Sequence, residues 1–291
     1  MKSLYDICAP AKLNLFLHIT GRRPDGYHLL QSVFMLIDWC DTLHFELRVD
    51  GRISREDLGR PLPVDDLVVR AARALKMASG SPLGAHIGIE KCIPVQAGMG
   101  GGPSDAASTL LALNRMWGLG FSLERLSQVG LELGADVPFF LAGHNAWVEG
   151  VGERITPVAL PDARFVVVKP AAGLDTRLIF SHANLKRNSE TAIISGFATD
   201  AFGFGRNDLQ PVAEKLCPDV TQALKWLASC GLNGRMTGSG SAVFAPVMEQ
   251  IDMSSAPSRF QVRLCNNLDS HPLLGWASGE NVSDKLSVGS V

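Results

Sequence analysis

The chain has 291 residues, 46% of them hydrophobic, with 27 Lys plus Arg against 29 Asp plus Glu and a formal charge of −2. That length suits one large or two ordinary domains with an ample core, and the charge gives no bulk attraction to nucleic acid or an anionic membrane. No signal-peptide core and no apolar run near the ~18 residues that span a bilayer is present, and the six scattered cysteines, without C-x-x-C or zinc spacing, predict reduced thiols in a cytoplasmic protein.

The first half is strand-rich. Residues 7–19 are apolar and β-compatible, with a break expected at Pro10. Lys12 and Asn14 lie two apart in this run, so they share a face. A lysine there is either on an exposed edge or held for chemistry. Pro24-Asp25-Gly26 is a turn signal, followed by the ring pair Tyr27-His28. That pair either caps a surface hairpin or stacks on a base and bonds its edge. Residues 27–39 form a second apolar run, and Leu43, Phe45, Leu47 and Val49 alternate as a half-buried strand. Asp65 and Asp66 open a helix, and Ile87 and Ile89 mark a short strand.

Pro94-Val-Gln-Ala-Gly98-Met99-Gly100-Gly101-Gly102-Pro103-Ser104-Asp105 is the most informative stretch. Glycine lets backbone N–H groups turn to a ligand and lets the ligand come close. A helix starting at Pro103, with the proline in its first position, adds the positive end of a macrodipole. The combination predicts a phosphate cradle built from N–H groups. No Gly-Lys-Ser/Thr closes it, and Pro103 breaks the dinucleotide fingerprint. A side chain at Gly101 is expected to block the approach and to demand a φ open only to glycine.

A helix over 122–133 capped by Ser122 follows. Asp136, in Gly-Ala-Asp-Val-Pro, is either a helix-end acceptor or a base. A strand is expected over 145–149, and the second half restarts near Pro157. Its strands lie at 164–169 and 260–264, its helices at 176–183, 211–216 and 220–230. Residues 235–247 read as a hairpin or strand–turn–helix around Gly238-Ser239-Gly240, a second phosphate clamp or a tight bend. The mixed spacing predicts α+β layers.

Taken together, Ala-Pro-Ala-Lys-Leu-Asn-Leu over 9–15, Arg-Arg-Pro-Asp-Gly-Tyr-His over 22–28, the glycine loop with Ser-Asp-Ala-Ala over 104–107, Gly-Ala-Asp-Val-Pro over 134–138, Glu-Gly-Val-Gly-Glu over 149–153 and Thr-Gly-Ser-Gly over 237–240 resemble the GHMP kinase superfamily. The resemblance implies an N-terminal half like ribosomal protein S5 domain 2 (1–155) and a C-terminal ferredoxin-like half (156–276), while the small, polar composition of 277–291 predicts a mobile tail. The resemblance implies ATP, with Mg²⁺ bound mainly through its phosphates and no dedicated metal ligands. It also implies a small-molecule partner, a cytidine diphosphate-linked methylerythritol phosphorylated on its 2-hydroxyl. No nucleic-acid or membrane partner is implied, and the oligomeric state stays open.

By the same resemblance Asp136 is the base and Lys12 its charge partner. Asn14 positions the substrate, and Tyr27, His28 and Phe180 recognise cytidine. Pro94, Gly98, Met99, Gly100, Gly101, Gly102, Pro103, Ser104, Asp105, Gly238 and Ser239 surround ATP, and Asp66 stands near the nucleotide. Three positions depart from the family pattern. Pro103 replaces a serine, Met99 a leucine and Asp66 an asparagine. A sister kinase for mevalonate, homoserine or galactose, or a silent nucleotide binder on the same fold, are the rival readings.

Overall fold

The computed structural model describes residues 2–278. Two long strands open the chain, β1 (Ser3–Arg22) and β2 (His28–Arg48). They are followed by β3 (Ile53–Asp57), α1 (Leu67–Ser79), β4 (Gly84–Glu90), α2 (Gly101–Met116), α3 (Leu123–Leu133), α4 (Val137–Ala142), β5 (Ala146–Gly150) and β6 (Arg154–Pro157). The second half holds β7 (Arg164–Lys169), α5 (Thr176–Ser181), α6 (Ile194–Thr199), α7 (Gln210–Leu216), α8 (Pro218–Ser229), β8 (Arg235–Met236), β9 (Val243–Val247) and β10 (Gln261–Asn266). The expected α+β layering is present. Among the described residues no helix is long and apolar enough to cross a membrane.

The larger sheet runs β3-β4-β2-β5-β6, with β1 paired antiparallel to β2; the smaller runs β10-β7-β9-β8. Pro10 does not break β1. The pairing register shifts between Pro10 and Ala11, and such a bulge absorbs a residue that has no N–H to donate. The two runs expected over 27–39 and 43–49 are one strand, β2, long enough to pair with β1, β4 and β5. β3, parallel to β4, carries no alternation that the sequence reading could find. Residues 235–247 form a hairpin, β8 with β9.

Three cores follow. Helices α1 to α4 cover one side of the larger sheet through Leu75, Leu110, Leu113, Leu126 and Phe139. Leu13, Phe16, Met35 and Trp147 of the larger sheet pack with Phe165, Val167 and Phe244 of the smaller. Val166, Val168 and Val243 face the helices of the second half, where Val220 and Leu227 of α8 meet them. Strand β1 reaches all three, with Ala9 in the first, Leu13 in the second and Leu17 in the third.

Two expectations are corrected. Cys8 and Cys40 form a disulfide across β1 and β2, with Cα atoms 5.6 Å apart, while Cys92, Cys217, Cys230 and Cys265 are free. The antiparallel register brings together cysteines 32 residues apart, which spacing alone does not reveal. The first two residues of the tail expected over 277–291 are part of the fold. Ala277 is buried in the first core and Ser278 bridges to Ser122; residues 279–291 lie outside the described residues.

His271 gives the fold a pH dependence. Its Nδ1 accepts from the Leu273 N–H at 3.1 Å, and its Nε2 lies 3.4 Å from Ser108 Oγ. Burial pulls its pKa from 6.5 down to about 4. Between those values the unfolded chain takes a proton that the folded chain refuses. Stability is therefore fully present above pH 6.5 and falls as pH drops towards about 4, by up to ~3 kcal/mol. In His271→Asn, whose amide oxygen still accepts from Leu273, urea-melt stability should change less across that window than in the parent chain.

Candidate functional site

A cleft of about 910 Å³ opens where the glycine loop, β1, α4, α5 and the β8–β9 turn converge. Its floor is β1. Lys12 and Asn14 share a face there, as their spacing predicts, and both are buried, at 4% and 1% exposure. Lys12 Nζ donates to Asn14 Oδ1 at 2.5 Å, lies 4.3 Å from the Phe34 ring centroid and is 3.6 Å from Asp136 Oδ2. Burial pulls the Lys12 pKa down, and Asp136 works against that pull. Lys12 is therefore not a free edge lysine.

Asp136 sits at the N-cap of α4 but makes no side-chain cap bond. Its carboxylate, about a third exposed, faces the cleft and Lys12 rather than the helix end. The helix-acceptor reading thus falls away.

The glycine loop joins β4 to α2. Helix α2 starts at Gly101, two residues earlier than expected, so Pro103 is its third residue. No hydrogen bond is lost, because the first four helical N–H groups have no intrahelical acceptor. Left-handed backbone occurs at Gly98 (φ +73°) and Gly100 (φ +71°), not at Gly101, which is helical. The expected φ constraint at Gly101 is therefore corrected; a Cβ there meets Ile93 Cγ2 at 3.1 Å. Gly101 and Gly102, at the positive end of α2, border the cleft with Pro94, Met99 and Pro103.

The β8–β9 turn leans on this loop. A Cβ at Gly98 would sit 2.3 Å from the Thr237 carbonyl oxygen, and one at Gly238 would sit 2.6 Å from that of Gly98. Gly238 and Ser239 line the cleft, and the Ser239 and Thr176 hydroxyls are 2.7 Å apart, tying the turn to α5.

Three residues expected near ATP do not line the cleft. Asp66 caps α1, accepting from Val69 N–H at 3.1 Å, and pairs with Arg55 at 2.8 Å. Ser104 is fully buried, its Oγ without a partner among the described residues. Asp105 is 3% exposed and binds Lys91 Nζ at 2.5 Å. Lys91 also donates to Asp41, whose other oxygen accepts the Cys92 and Ile93 N–H groups. Burial disfavours the Lys91 ammonium, but Asp105 and Asp41 outweigh it and hold its pKa high. Burial pushes the Asp105 carboxyl up; Lys91 pulls against this and Asp41 adds to it. Lys91 lines the cleft, and sequence reading missed it because it stands outside the glycine motif.

At the far end Tyr27 is 67% exposed, and the His28 and Phe180 ring centroids are 5.1 Å apart. All three border the cleft. Arg187, from a stretch in which the sequence showed no motif, donates to His28 Nε2 at 3.0 Å. Among the described residues no three His, Cys, Asp or Glu side chains converge as a metal site.

Models of the GHMP kinases N terminal domain and of the GHMP kinases C terminal region match residues 66–144 and 190–268. The chain is 78% identical to the 4-diphosphocytidyl-2-C-methyl-D-erythritol kinase of Albidiferax ferrireducens over 100% of both chains. It is 65% identical to that of Paracidovorax citrulli, over 97% of this chain and 100% of the other. A crystal structure of 4-(cytidine 5'-diphospho)-2C-methyl-D-erythritol kinase superposes with a TM-score of 0.76 at 31% identity, covering 90% of this chain and 98% of that one.

The loop contact gives a stability test. Gly98→Ala places a methyl against backbone and in left-handed φ, a conformation that alone costs ~1–2 kcal/mol. Gly102→Ala meets only Leu67 Cδ1, at 3.1 Å. In denaturant melts Gly98→Ala should be the less stable by at least that ~1–2 kcal/mol. Equal midpoints would show that the loops do not depend on their contact.

Proposed function

The chain belongs to the GHMP kinase family, and on that premise we propose that it transfers the γ-phosphoryl group of ATP to the 2-hydroxyl of 4-diphosphocytidyl-2-C-methyl-D-erythritol. The products are the 2-phosphate and ADP, and the pathway is non-mevalonate isoprenoid synthesis. The observation that carries this reading is one cleft holding a glycine loop, a lysine–carboxylate pair and an aromatic end wall. The N-terminal part, 1–155, is the ATP-binding half, and 156–276 completes the cleft. The need for ATP fits a cytoplasmic enzyme.

The acceptor oxygen attacks the γ-phosphorus as the bond to the β–γ bridging oxygen breaks. Asp136 takes the hydroxyl proton, and ADP leaves with the bond's electron pair. Lys12, 3.6 Å from Asp136, favours the charged carboxylate and offsets negative charge on the transferring group. Asn14 fixes Lys12 from below and approaches the acceptor. Phosphoryl transfer needs chiefly positioning and charge neutralisation, which this arrangement offers. The Gly98–Pro103 loop and the Gly238-Ser239 turn surround the phosphates, with the Gly101 and Gly102 N–H groups as donors.

The residues present fit Mg²⁺ held chiefly by phosphate and water oxygens. Ser104 Oγ is fully buried off the cleft, which leaves the phosphate side of the cleft as the place for the ion. Bound there, the ion would neutralise phosphate charge. Tyr27, His28 and Phe180 are the aromatic surface for the cytosine ring.

An acceptor panel tests the reaction. The cytidine substrate should be phosphorylated at 2-OH, and mevalonate, homoserine and galactose should not; turnover of one of those three instead would overturn the assignment. Asp136→Asn should lower kcat by about 10²-fold or more, within the range a positioned base supplies, with ATP affinity nearly unchanged. Near-normal turnover in that variant removes Asp136 as the base.

A further inference from the structure

His28 is held by a residue that has no part in the chemistry proposed above. Arg187 Nε donates to His28 Nε2 at 3.0 Å. The Arg187 fork is itself fixed, with Nη1 on the Leu185 carbonyl at 3.1 Å and Nη2 on those of Phe180 and His182, each at 3.0 Å. A guanidinium has only donors, so the imidazole nitrogen facing it must present a lone pair. The ring proton of neutral His28 therefore resides on Nδ1. Burial lowers the His28 pKa, and the charges of Arg187 and Arg22 lower it further, so the ring stays neutral. Nε2 is occupied, which leaves Nδ1–H as the ring's group for a ligand in the cleft.

We infer that Arg187 is a specificity-positioning residue: by holding His28 with its proton on Nδ1, it makes the cleft select a pyrimidine whose N3 is an acceptor, cytosine, over one whose N3 carries hydrogen, uracil. The inference rests on the cytidine substrate assigned above. Cytosine N3 accepts from Nδ1–H, whereas uracil N3–H meets another donor and leaves two buried polar groups unpaired. The same arginine bonds the Phe180 carbonyl, so one side chain fixes both the stacking ring and the edge-reading ring.

The test compares kcat/KM for the cytidine substrate and its uridine counterpart. Arg187→Met keeps the apolar stem and removes every donor. It frees His28 to place its proton on Nε2 and offer Nδ1 as an acceptor. The cytidine-to-uridine ratio should fall by about tenfold or more, the equivalent of one hydrogen bond. In Arg187→Lys, which retains a cationic donor group without the guanidinium fork, the ratio should recover in part. ¹⁵N NMR of the imidazole should report Nδ1–H in the parent chain and a mixture or Nε2–H in Arg187→Met. A parallel fall for both substrates, with the ratio kept, would assign Arg187 a purely structural role and overturn the inference. An Nε2–H tautomer in the parent chain would overturn it too, even if Arg187→Met does not fold. A parent chain that turns over neither pyrimidine substrate fails the kinase reading itself, a different outcome from turnover with an unchanged ratio, and takes the inference down with it.

Discussion

One backbone hydrogen bond organises the cleft: the Lys12 N–H donates to the Met99 carbonyl at 2.9 Å. It fastens the glycine loop to the open edge of β1 at the residue whose side chain faces Asp136. The same edge continues outward. Asn14 N–H donates to Thr237 Oγ1 at 2.9 Å, Leu17 N–H to the Arg206 carbonyl at 2.9 Å, and Ile19 N–H to Asp208 Oδ2 at 2.8 Å. A strand with one edge in the larger sheet thus spends its other edge on the loops that shape the cleft. An unpaired strand edge needs partners, and here those partners come from the glycine loop and from the second half of the chain. Loop position, β8–β9 turn and Lys12 are set by one rigid element.

Two buried lysines lie beside the loop, and their surroundings push them in opposite directions. Lys91 is gripped by Asp41 and Asp105 in hydrogen-bond contact, which holds its charge. Lys12 has one carboxylate, at 3.6 Å, and burial wins. A cation out of water needs a compensating charge close by. Lys91 has that charge within the protein, and its two acids also fix the ends of the loop, one at residues 92 and 93 and one in α2. Lys12 is under-compensated, and a phosphate in the cleft would supply what it lacks. Asp136 follows the same logic. As an N-cap it forgoes the side-chain bond that a capping aspartate normally makes, and its carboxylate stays available to Lys12 and to the cleft.

The two glycine turns set a further constraint. Gly98 and Gly238 approach so closely that a methyl on either would overlap the other turn's backbone. Glycine here serves loop-on-loop packing, whereas Gly101 and Gly102, in the first turn of α2, border the cleft. One glycine-rich sequence therefore holds two kinds of glycine, which differ in what lies against them.

Much of the site was legible in the sequence because its signals are local. Alternation put Lys12 and Asn14 on one face, and Pro24-Asp25-Gly26 delivered Tyr27 and His28 to the cleft. The glycine run marked the start of a helix. These depend on backbone period, turn preference and helix-end electrostatics over a few residues. The tertiary structure decided what depends on distant partners. It turned Asp66 and Asp105 from the cleft towards Arg55 and Lys91, and it started α2 before Pro103. It joined Cys8 to Cys40 through strand register and brought Arg187 to His28 across 159 positions. A carboxylate's sequence neighbours do not say which cation will reach it, because that choice is made by the packing of strands and loops far apart in the chain.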